Sequence, residues 1–148
     1  MQPDDPTIAM APTHPPDCCH SARRPPAHSA ARSVLDMDAL LRRCMGDRGF
    51  AERIIVKFKT RMVDDLERLD ASIGSGDALA TARLAHSLKG ATATLSAEGL
   101  QAIFARLETI GRSGDVAEAP QCLADLKEEW LRFLEYIQGA DTACTRPG

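Results

Sequence analysis

Residues 47–77 read DRGFAERIIVKFKTRMVDDLERLDASIGSGD, and the spacing of their apolar side chains decides the fold class. Ile55, Phe58, Met62, Leu66, Leu69 and Ile73 follow one another at steps of 3, 4, 4, 3 and 4. That rhythm belongs to an α-helix with one apolar face, held here for about seven turns. Asp47 stands where an N-cap is needed, because its carboxylate can accept from the otherwise unpaired amides of the first turn. Gly74-Ser75-Gly76 breaks the run.

The pattern continues on both sides. Upstream, Asp36 to Met45 puts Met37, Leu40, Leu41 and Cys44 on one side and stops at Gly46, which predicts a small helix packed on one end of the main body. Downstream, Asp77 is placed to cap a helix in which Leu84, Leu88, Ala91 and Leu95 recur at steps of 4, 3 and 4. Ser96 is expected to cap the next, which carries Leu100, Ile103, Phe104, Leu107 and Ile110 and ends in Gly111-Arg112-Ser113-Gly114. The last helix carries Leu123, Leu126, Trp130, Phe133, Leu134 and Ile137 before Gly139. It should begin close to Pro120, since proline suits a first helical turn and clashes in an interior one. Four long amphipathic helices on short connections bury their faces best in an antiparallel up-and-down four-helix bundle, with the short N-terminal helix as an addition. The fold class read from sequence is therefore all-α.

Composition agrees. Aromatic residues are only 4%, which favours helix formers over strand formers, and 148 residues with 44% hydrophobic content suit a single domain with an ordinary core. Seven of the nine prolines fall within residues 1–32, a stretch poor in large apolar side chains. It reads as a disordered Pro-rich leader that cannot offset its own ordering entropy. Residues 33–139 then form the folded domain, and residues 140–148 a flexible tail. The leader holds His14, Cys18, Cys19, His20 and His28, but adjacent cysteines obstruct a tetrahedral site and no second Cys-x-x-Cys pair follows, so no metal site is expected.

A net charge of −3, with no basic stretch interleaved with aromatics, argues against a nucleic-acid partner. Nothing resembles a signal peptide or an apolar membrane span. Five cysteines, an odd and scattered set, suit reduced thiols. The expected compartment is the cytoplasm.

One residue does not fit a packing role. His86 lies two positions from both Leu84 and Leu88, about 160° around the helix from either, so it faces away from the apolar stripe. Arg83, Lys89, Gly90 and Ala82 lie three or four residues away and share its face. A neutral imidazole keeps a free ring nitrogen at cellular pH and can attack phosphorus without a strong base beside it. Lys89, one turn on, can pair with phosphoryl oxygens. Gly90 weakens a helix interior by about 1 kcal/mol relative to Ala, and close approach of a bulky partner to His86 would give it a reason. Ala82 and Ala93 would keep the same surface low.

Arg83-Leu84-Ala85-His86-Ser87-Leu88-Lys89-Gly90 resembles the Ala-His-x-Leu-Lys-Gly signature of histidine phosphotransfer domains. Gly46-Asp47, Phe58, Leu66 with Leu69, Ser75-Gly76-Asp77, and Leu107-Glu108 followed by Gly114-Asp115 extend the resemblance over most of the chain. The resemblance implies that His86 takes a phosphoryl group on Nε2 from a receiver-domain aspartate or a histidine kinase, and that the transfer also runs in reverse. Lys89 and Gly90 match the family's lysine and glycine. Glu108, 22 residues beyond the histidine, matches a glutamate that in some members bonds the other ring nitrogen; a plain solvated helix face is the other reading of it. The chain departs from the family at Ser96, where many members have glycine, and at Thr94, often Asn.

These expectations describe a phosphocarrier of a two-component phosphorelay, not an enzyme and without ATP-binding or kinase machinery of its own: the chain is short for an ATP-binding domain and shows no glycine-rich phosphate loop. Its partners would be a receiver domain, a histidine kinase, or both, and the carrier would be a monomer. No cofactor should bind, because the Mg²⁺ that transfer needs sits in the receiver's acidic pocket. Arg83, Lys89 and Arg106 would complement that pocket. Two alternatives stand beside this reading: a non-catalytic receiver-binding adaptor, and the separate substrate domain of a chemotaxis-type kinase. Metal-binding bundles are disfavoured by the absence of Glu-x-x-His pairs.

Overall fold

The computed structural model of the chain describes residues 33–144, with side chains through residue 140. The proposed leader and its Cys18, Cys19 and His20 cluster lie outside the described residues. Five helices are formed, with no strand among the described residues: α1 Met37–Arg43, α2 Arg48–Gly74, α3 Ala78–Leu95, α4 Glu98–Ser113 and α5 Ala119–Cys144. The all-α class is as expected.

Three aspartates start helices as their positions suggest. Asp36, Asp47 and Asp77 accept from the amides of Ala39, Phe50 and Ala80 at 2.8, 2.9 and 2.9 Å. Ser96 does otherwise. It closes α3 in the left-handed conformation, with φ at 60°, and Ala97 occupies the start of α4 without a side-chain cap. Left-handed backbone is where glycine is favoured over any residue with a Cβ, so the glycine usual at this position answers a turn requirement.

α3 packs most extensively on α4, α2 on α3, and α4 on α5, while α5 also touches α2. The core between them is led by Met62, Leu69, Leu88, Leu95, Leu100, Phe104, Leu107, Leu126 and Phe133, all essentially inaccessible. Phe58 of α2 meets Trp130 and Phe133 of α5 edge-on at 6.0 and 5.8 Å, and those two rings stack at 5.3 Å. Polar contacts also stitch the core: the buried hydroxyls of Ser72 and Thr81 lie 3.0 Å apart and join α2 to α3. α1 lies at one end. The Asp36 amide donates to the Ser96 carbonyl at 3.1 Å, and the Arg43 guanidinium donates to the Ala93 and Thr94 carbonyls that close α3.

Two expectations are corrected. The buried arc of α3 runs through Thr81, Ala82, Ala85, Leu88, Thr92 and Leu95, leaving Leu84 and Ala91 half-buried, because α3 is flanked by both α2 and α4. α4 ends as expected within Gly111–Gly114: its last residue is Ser113, and Gly114, with φ at 80°, is its left-handed stop. α5 runs past Gly139 to Cys144, so residues 140–144 are helical and not tail. An isolated glycine lowers helix propensity by only about 1 kcal/mol, too little to end a helix with a long apolar face. Pro120 falls at the second helical position, where proline is tolerated.

Candidate functional site

α3 presents His86 to solvent, its side chain 65% accessible, while the next helix supplies a partner from below. That partner is Glu108 of α4, whose side chain is only 7% accessible. Its Oε1 lies 2.9 Å from His86 Nδ1 and its Oε2 2.5 Å from Lys89 Nζ. Of the two readings open for Glu108, the solvated helix face is the one that fails. A third partner, unforeseen from sequence, completes the cluster: Arg112 Nη2 lies 2.6 Å from Oε1.

The Lys89 ammonium bonded to Glu108 holds its carboxyl below the ordinary value of 4.5, against burial, which acts to raise it; the His86 contact and the charge of Arg112 add to the lowering. The carboxylate is therefore an acceptor. An ionised carboxylate only accepts, so His86 Nδ1 is the donor, and a ring with its single proton there has its lone pair on Nε2.

A close helix approach makes this reach possible. At Gly111, one turn after Glu108, a Cβ would stand 2.6 Å from the Ala82 nitrogen, 2.7 Å from the Ala78 oxygen and 2.8 Å from the Ala82 Cα. Only hydrogen fits there, so α4 meets α3 backbone to backbone. This also corrects the placement of Ala82: the same contact buries it between the helices, and it is not part of the surface around His86. Ala93 does lie on the His86 side, half-buried, with its carbonyl taken by Arg43.

Gly90 is exposed, and a Cβ built on it meets nothing within 4 Å. Arg83 is exposed on the same face, and so is Leu79, seven residues before His86 and 60% accessible. Arg106 points elsewhere, held at 3.1 Å by Asp125 of α5, since it is two residues from Glu108 and thus on the opposite side of α4. Its place near the histidine is taken by Arg61 of α2. That guanidinium is fixed at 2.9 Å by the buried Asp65 and donates to the Ser87 hydroxyl at 3.3 Å. Arg112 could have been found by its i+4 spacing from Glu108, but it stands in the Gly111–Gly114 stretch that reads as the end of the helix. Arg61 left no sequence signal, because its link to Ser87 is made between helices.

The family model described as Hpt domain matches residues 53–139, more than half of the chain. The chain belongs to the Hpt domain family. Hpt domains carry out histidine phosphotransfer in two-component signalling, as phosphocarriers rather than kinases, and they work with response regulators and kinases. Among solved structures, the crystal structure of histidine-containing phosphotransfer protein B (HptB) from Pseudomonas aeruginosa PAO1 is similar, with a TM-score of 0.69 at 22% identity. The similarity covers 75% of this chain and 96% of that one, and it bears on the fold. A comparison with curated proteins finds no match. α1 and the first turn of α2 precede the stretch that the family model matches. Among the described residues no helix is long and apolar enough to cross a membrane, and no group of three His, Cys, Asp or Glu is placed to hold a metal ion.

Proposed function

We propose that His86 is the phosphoacceptor of a phosphorelay carrier, exchanging a phosphoryl group with aspartates of response-regulator receiver domains. One observation carries the reading: an exposed imidazole whose Nδ1 lies 2.9 Å from a buried carboxylate, leaving Nε2 to attack. In the transfer, the Nε2 lone pair forms the N–P bond while the bond from phosphorus to the aspartyl oxygen breaks, its electron pair leaving with the receiver's carboxylate. The Nδ1 proton stays in place, and Glu108 faces the positive charge the ring gains. Lys89 stabilises the phosphoryl oxygens. Gly90 leaves room for the receiver, Leu79 and Arg83 contact it, and Ala93 keeps the far end of that face low.

The surrounding reading follows from this one. α2 to α5 act as an antiparallel up-and-down four-helix bundle, a view supported by connections of three, two and five residues. The carrier holds no ATP site and binds no cofactor; Mg²⁺ enters with the receiver. It works as a monomer in the cytoplasm, where free thiols such as the buried Cys44 and Cys122 persist.

Incubation with an aspartate-phosphorylated receiver domain and Mg²⁺ tests the proposal. Acid-labile, base-stable label should appear on the wild-type protein and not on His86→Gln. If the wild type stays unlabelled by several receivers and kinases while binding one of them, the protein is an adaptor instead.

A further inference from the structure

Glu108 is held from both of its oxygens by two cations of different character. Lys89 reaches Oε2 from α3, on a flexible stem one turn from His86. Arg112 reaches Oε1 from within α4, at i+4, and its contact does not depend on the spacing between helices. When a phosphoryl group arrives at Nε2, its oxygens compete with Glu108 for the Lys89 ammonium. If Lys89 turns to the phosphoryl oxygens, a carboxylate that is only 7% accessible loses its first counter-ion while an anion is building up nearby. Removing one partner of a buried ion pair is strongly unfavourable when nothing replaces it.

We infer that Arg112 is a positioning residue of the transfer reaction: it keeps Glu108 ionised and aimed at His86 Nδ1 while Lys89 is released to the phosphoryl group. The inference rests on His86 being the phosphoacceptor. Arg112 itself touches neither the ring nor the phosphoryl group; it acts through Oε1 of Glu108. No bond beyond those of the transfer is made or broken. The salt bridge from Lys89 moves from carboxylate to phosphoryl oxygen, and the charge on Glu108 remains balanced by Arg112 and by the ring.

Two measurements on the full chain test this. The first needs no phosphorylation: ¹⁵N NMR of the His86 ring in Lys89→Ala, a protein in which the lysine has already left Glu108. Lys89→Ala alone should keep the proton on Nδ1, and Lys89→Ala with Arg112→Gln should lose that preference. Equal spectra would overturn the inference. The second follows phosphohistidine formation from phosphoramidate, a small phosphoryl donor. Arg112→Gln should slow the initial rate about three- to fivefold, the range expected for loss of one partly exposed ion pair. Arg112→Lys should restore it, and the effect should vanish in a Glu108→Gln background. A loss of the same size in that background would mean that Arg112 merely attracts the anionic donor, and the positioning role would be excluded. If neither phosphoramidate nor phosphorylated receivers and kinases label wild-type His86, the phosphoacceptor reading fails instead, and the ring tautomers still decide whether Arg112 positions Glu108.

Discussion

Gly90 separates stability from function more sharply than any other position near His86. A methyl group there would meet nothing within 4 Å, so no packing argument favours glycine inside an exposed stretch of α3. Gly90→Ala should therefore raise stability by about 0.5–1 kcal/mol, the difference in helix propensity. The same methyl group sits one turn from His86, on the face where the proposed receiver would dock. Transfer from a phosphorylated receiver should slow, while phosphorylation by a small donor is unaffected. Urea denaturation and the two labelling rates, measured on one preparation, check this; a stabilised variant with undiminished receiver transfer would show that Gly90 has no part in partner access. The contrast between donors matters because the methyl group obstructs only something large.

At the scale of elements, the α3–α4 pair is where precision resides. Gly111→Ala would drive a Cβ into the backbone of Ala78 and Ala82, atoms that cannot turn aside as a side chain could. The helices must separate, at a cost of about 1–3 kcal/mol typical of overpacking, and the bond from Glu108 to His86 Nδ1 should lengthen with them. A lower denaturation midpoint together with loss of the Nδ1–H tautomer is the expected pair of results. A lower midpoint with the tautomer intact would detach the site from the helix spacing. This contact also marks the limit of what the chain discloses when read as a string. The helices, their aspartate caps and the exposure of His86 were legible because each depends on residues three or four apart. Ser96 reads as an N-cap because that signal is local, whereas it closes α3 in a left-handed turn; Gly111 reads only as part of the helix end, whereas it answers to a neighbour about thirty residues away. Glu108 was legible only through family resemblance; its burial comes from tertiary packing that spacing does not encode.

For the molecule as a whole, the buried carboxylate ties stability to pH. Because the Lys89 contact and its companions hold Glu108 below 4.5 in the folded state, the unfolded chain binds protons more readily at this residue as pH falls. The Glu108 contribution is complete above 4.5 and disappears as pH falls through the folded value. Glu108→Gln should thus be less stable than wild type at neutral pH, and the two should converge in acid, when denaturation midpoints are compared from neutral pH down through 4.5. A constant gap would place the loss in packing rather than in charge. The backbone contact at Gly111 adds a kinetic consequence. Two helices that touch through their main chains have no side-chain rotamers to loosen at that point, so the backbones carrying the two halves of the site separate only when α3 and α4 open together. Amide exchange around His86 and around Glu108 should then report one shared event, and the spacing across which the side chains of the site meet lasts as long as that helix pair stays closed.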